Sequence, residues 1–137
     1  MGSLGNTVEN EVLDQLFGAS DYAEPATYYV GLSKADVLDD ASGLDEPSGN
    51  SYARVSIANN KTTWSNASGG ALENDIAITF PQASGDWGTC THFAIWNHAS
   101  ATAEANLIAH GALGTSKAVD NGDTARIAAG ELDITLD

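Results

Sequence analysis

Only one stretch of this chain carries helical periodicity, and it ends at Gly18. From Thr27 onward, apolar residues recur at every second position. That change of period restricts the fold to a mainly β architecture with one short helix at its start. Over 6–17, Val8, Val12, Leu13, Leu16 and Phe17 fall on one stripe, as an amphipathic helix requires. Asn6 is the expected cap, with Glu9 three residues on in a near capping-box arrangement. Glu9 and Glu11 sit near the positive end of the helix dipole, and Gly18 is the expected stop. Its stripe can pack on the chain's own sheet or on a neighbouring subunit, and the own sheet is favoured because an isolated helix of this length is marginal.

The remainder predicts strands at 27–32, 52–57, 76–80, 89–96, 107–113, 125–128 and 132–136. Polar, glycine-rich punctuation separates them, notably at 33–51 and 59–70. Seven or eight short strands with turns between them predict an antiparallel β-sandwich of jelly-roll or immunoglobulin-like type. No strand–helix alternation supports a parallel sheet. The 137 residues suit a single domain, 1–137, with the helix at 6–17 and the sandwich at 26–137. A fixed-period repeat is missing, so the chain is expected to act as a compact knob and not as a shaft.

Charge removes several function classes. Twelve Asp and seven Glu stand against five Lys plus Arg, for a formal net charge of −14. Such a chain repels a phosphate backbone and an anionic bilayer alike, so neither nucleic acid nor membrane is an expected partner. No run approaches the roughly 18 apolar residues of a membrane helix. Residues 1–11 have no basic region and no apolar run, so no secretory leader is expected. Abundant Ala, Gly, Ser and Thr beside the acids resemble proteins adapted to concentrated salt, where self-repulsion is screened within about 3 Å at 1 M.

Residues able to do chemistry are few. His92, His98 and His110 lack metal-ligand spacing, and a strand histidine with a hydrogen-bond partner is the favoured reading. Asp39, Asp40, Asp45 and Glu46 form an acidic cluster that could hold calcium, but a solvated loop is favoured. The run 120–123 (DNGD) fits a hairpin turn better than a cation loop. Cys90 lies in an apolar strand without a basic neighbour in sequence, which suits a packed structural thiol. Nucleophile elbows, phosphate loops and dinucleotide fingerprints are missing, so an enzyme and a cofactor are not expected. Trp96 reads as core. Trp64 and Trp87 lie in polar loops, where they could plug the end of a sandwich or serve as contact residues.

Several stretches together resemble a family of small proteins from tailed viruses of bacteria and archaea, commonly labelled tail-fibre proteins. They are Val12-Leu13-Asp14-Gln15-Leu16-Phe17-Gly18, Tyr29-Val30-Gly31-Leu32-Ser33 and Gly49-Asn50-Ser51-Tyr52-Ala53-Arg54-Val55. The best match runs from Ala77-Ile78-Thr79-Phe80-Pro81 through Gly85-Asp86-Trp87-Gly88-Thr89 to His92-Phe93-Ala94-Ile95-Trp96. Gly111-Ala112-Leu113, Thr115-Ser116-Lys117, Gly122-Asp123-Thr124 and Ala128-Ala129-Gly130-Glu131-Leu132 complete it. The resemblance implies a structural role and supplies no catalytic residues. The expectation is a non-enzymatic virion protein, made in the host cytoplasm and exposed on the particle. It would be homo-oligomeric, in contact with major capsid or tail proteins, and placed as a capsid decoration ahead of a tail fibre or adaptor. A receptor-binding or glycan-binding knob is the alternative.

The charge imbalance predicts that thermal stability rises from low to molar potassium chloride, because added cations screen self-repulsion. A melting temperature that stays flat or falls across that range would reject salt adaptation.

Overall fold

A computed structural model describes residues 2–136. Its elements are β1 (Gly2–Leu4), α1 (Asn6–Phe17), β2 (Thr27–Ser33), β3 (Val55–Ala58), β4 (Ala71–Glu73), β5 (Ile78–Gln82), β6 (Gly88–Trp96), β7 (Leu107–Val119), β8 (Thr124–Ile127) and β9 (Asp133–Thr135). A five-stranded antiparallel sheet in the order β1-β7-β6-β2-β3 forms one layer. The pairs β4-β9 and β5-β8, also antiparallel, supply the facing layer. The expected antiparallel sandwich with one N-terminal helix is therefore the fold. No helix among the described residues is long and apolar enough to cross a membrane.

The layers meet because alternate side chains of each strand are apolar. Val30, Leu32, Phe93, Ile95 and Ala109 project from the large sheet into a core completed by Ile78, Phe80, Ile127 and Leu132. The central strand β6 is buried on both faces. Phe93 and Ile95 face the inner core, while Ala94 and Trp96 pack outside with Val37 and Leu107. Asn74 ties the facing layer together from a fully buried position. Its Nδ2 donates to the carbonyls of Ile76 (2.8 Å) and Ala128 (2.9 Å), and its Oδ1 accepts from the amide of Leu132 at 2.9 Å. A buried amide is tolerable when satisfied in this way.

Several details depart from the sequence expectations. The helix has the expected limits, but Gly5 is its N-cap and no side chain caps it. The Asn6 side chain reaches Glu104 instead, at 3.2 Å. Val8 alone of the stripe is buried, while Leu13, Leu16 and Phe17 are exposed. The strands β1 and β4 were not expected, because three residues are too few to show alternation. Strand β3 begins at Val55 and not at Tyr52, because Tyr52 and Arg54 are drawn into side-chain bonds. Strand β5 runs past the expected end at 80 and takes in Pro81, at an irregularity between Thr79 and Gln82. Strand β5 pairs only with β8, so the missing proline N–H leaves no central ladder broken. The 120–123 turn is tight, with Gly122 at φ +89° and Asp123 N donating to Asp120 O at 3.0 Å. It is not a hairpin, since β7 pairs with β6 and β8 with β5, so it turns the corner between layers.

Truncating Ile95, 2% exposed in the central strand, to Ala should cost about 2–5 kcal/mol through cavity formation. An unchanged denaturant midpoint would show that β6 is not central to stability.

Candidate functional site

The side chains richest in chemistry gather on the outer face of the large sheet, where residues 33–54 fold back over β6. Gly31 is the reason they can. It lies opposite Ala94 in the β2–β6 register, and a Cβ there would stand 2.8 Å from Glu46 Oε1. The bare backbone leaves room for that carboxylate. Arg54 meets Glu46 as a two-pronged pair, Nε to Oε1 at 2.8 Å and Nη2 to Oε2 at 2.7 Å. Arg54 Nη1 donates to the carbonyls of His98 and Ala101, each at 2.9 Å. The guanidinium carbon lies 4.2 Å from the centre of the Trp96 ring, within cation–π range. Tyr52 Oη donates to Glu46 at 2.7 Å and accepts from the amide of Leu32 at 2.9 Å. Burial, followed by the adjacent Glu46 charge, pushes the Tyr52 phenol well above its usual range.

The sequence-predicted acidic cluster does not converge on one point. Asp39 Oδ1 lies 2.8 Å from His110 Nε2, and Asp40 accepts from the amide of Ser42 at 2.9 Å. Bonding to Ser42 holds the exposed Asp40 carboxyl below its ordinary pKa. Asp45 pairs with Lys34 at 3.1 Å, and Glu46 with Arg54. Asp36, which the sequence did not single out, lies 3.3 Å from His92 Nε2. Two of the five cations and two of the three histidines are thus engaged by this one excursion. The third histidine closes the turn that holds Arg54, His98 Nδ1 accepting from the amides of Ser100 (3.1 Å) and Ala101 (2.9 Å). No three His, Cys, Asp or Glu side chains among the described residues are grouped as metal ligands.

Cys90 is fully buried, and burial pushes its thiol pKa upward, which suits packing and not attack. The two loop tryptophans separate. Trp87, a contact candidate, is only 4% exposed, and its Nε1 donates to the carbonyl of Asn50 at 2.9 Å. Its ring meets Tyr52 edge-on at 5.1 Å. It fills the plug role, because an indole with its N–H satisfied is best placed away from water. Trp64 is half-buried and lines an apolar cleft of about 370 Å³ between the layers, with Tyr28, Leu72, Ile95, Ile108 and Ile134.

Comparison with known proteins adds the decisive observation: the family described as Podophage GP4 fiber I protein gp80 matches residues 3–135. The chain belongs to that family. No curated protein matches it. Membership in this fibre family of tailed viruses makes the chain a virion-associated protein and agrees with the resemblance read from the sequence. The match begins within β1 and covers the helix and every later strand. The matched span includes residues 33–54, the excursion over β6.

Glu46→Gln keeps the shape of the side chain and removes its charge. It should destabilise the fold by about 3 kcal/mol or more, because Arg54, whose side chain is 2% exposed, is left as a buried charge without its counter-ion. A denaturation midpoint equal to wild type would remove the pair from any structural role.

Proposed function

We propose that this protein is a non-enzymatic structural protein of a tailed-virus particle, a compact homo-oligomeric module exposed on the virion surface as part of the tail fibres. The match to a fibre family along nearly the whole chain carries the reading. The engagement of the acids, histidines and arginine of the outer face in holding the fold supports it. Of the two places considered from the sequence, the family description favours the tail over capsid decoration. The expected partners are further copies of the chain and neighbouring virion proteins, because a net charge of −14 opposes nucleic acid and anionic lipid.

A second reading, a knob that contacts a receptor or glycan, rests on Trp64. Its ring lines an open cleft beside Asn59 and Asn66, a pairing of aromatic surface and amides that suits sugar contacts.

Electron microscopy of virions carrying a tagged copy should find label at the tail, at one vertex. Label repeated over the capsid lattice would overturn the tail assignment in favour of capsid decoration. Glycan-array binding that is abolished by Trp64→Ala would favour the second reading.

A further inference from the structure

Asn121-Gly122 is the one Asn-Gly step in the sequence, and both residues are exposed at the corner where the chain passes from β7 to β8. An asparagine followed by glycine is chemically unstable in an open chain. No Cβ shields the glycine nitrogen, so that nitrogen reaches the side-chain amide of the residue before it. Once the Gly122 N–H gives up its proton to hydroxide, the nitrogen bonds to Asn121 Cγ. The Cγ–Nδ2 bond breaks, ammonia leaves with a proton taken from water, and an imide ring closes. Water then opens the ring at either carbonyl and leaves aspartate or isoaspartate, with nothing oxidised or reduced.

The fold holds the atoms that this attack must free. Gly122 N donates to Ala83 O, and Ala83 N donates back to Asp123 O, each at 2.8 Å. Ala83 is 2% exposed, so the reciprocal pair fastens the turn to the core. Asn121 N donates to Asp86 Oδ1 at 2.9 Å, and Gln82 Nε2 donates to Gly122 O at 2.8 Å. Asp123 N to Asp120 O and Asp120 N to Asp123 Oδ2, each at 3.0 Å, close the turn on itself. A carbonyl takes no proton, so the Gly122 nitrogen keeps its hydrogen and stays unreactive until the corner opens. The same opening governs exchange of that amide hydrogen. We infer that Asn121 is a self-modifying site, held latent by the grip of residues 82–86 on the 120–123 turn and converted to aspartate or isoaspartate when the corner opens. Either product adds a negative charge beside Asp86, Asp120 and Asp123 in a chain already at −14, and isoaspartate also lengthens the backbone by a methylene. Both changes weaken the corner, so the conversion runs one way. The inference stands on this turn and is independent of the oligomeric state and the place on the virion proposed above.

Incubating the full chain at mildly alkaline pH in molar potassium chloride, with and without urea, tests it, and tryptic mapping of the 118–126 peptide reads the conversion. The peptide should convert readily in urea. In the native chain conversion should be slower by the same factor that slows exchange of the Gly122 amide hydrogen. Asp86→Ala and Gln82→Ala, each at an exposed position, should raise the native rate about tenfold, the effect of losing one hydrogen bond, while the rate in urea and the circular dichroism stay at wild type. Equal wild-type rates with and without urea would overturn the latch, and no conversion in urea would overturn the site. Wild-type rates in both folded variants would overturn the part given to residues 82–86. The comparison of native with urea-treated wild type needs no variant, so it decides the inference even where a variant fails to fold.

Discussion

The pairing of Arg54 with Glu46 over the Trp96 ring is the interaction on which the rest of the structure leans. The central strand β6 buries Phe93, Ala94, Ile95 and Trp96 in succession, so it needs cover on both faces. The facing layer supplies one cover. The other must come from 33–54, which is acidic and would be expelled from an apolar face if its charges stayed unpaired. The guanidinium resolves the conflict with four hydrogen bonds, two to Glu46 and two to the 98–101 turn, while its flat face rests on the indole. This arrangement suits Arg and would not suit Lys, whose ammonium has neither the fork nor the flat face. Lys34 neutralises Asp45 in the same way, and the imidazoles of His92 and His110 lie 3.3 Å and 2.8 Å from Asp36 and Asp39 along the excursion.

Most of the architecture was legible because period governs it. The helix limits coincide with the reading, and seven strands lie where alternation placed them, with shifted ends. What was not legible came from contacts distant in sequence. Strand β1 exists because the segment just before the helix lies on the free edge of β7, at Gly2↔Gly111 and Leu4↔Ala109. The helix stripe predicted burial of Leu16 and Phe17, yet the sheet extends under the first turns only. The acids at 39–46 were read as a solvated loop with a cation site as the alternative. Their partners, His92, His110 and Arg54, arrive from strands and loops that a local pattern cannot connect. The role of Asn74 was hidden for the same reason, since the carbonyls it holds are set by three separate segments.

This division bears on function. The three histidines and Arg54 are engaged in holding the fold and Cys90 is buried, while Leu13, Leu16, Phe17 and the cleft beside Trp64 are among the apolar features open to solvent. A chain of the gp80 fibre family so arranged fits the structural role proposed above.

Native-state amide hydrogen exchange tests most directly whether the excursion is structural cover. The bonds to watch are Lys34 N to Asp45 O and Leu38 N to Ser42 O, each at 2.9 Å. The account predicts that these amides are protected to nearly the same free energy as those of β6 and open with it as one cooperative unit. Exchange of the Lys34 and Leu38 amides at free-chain rates, with β6 still protected, would contradict it.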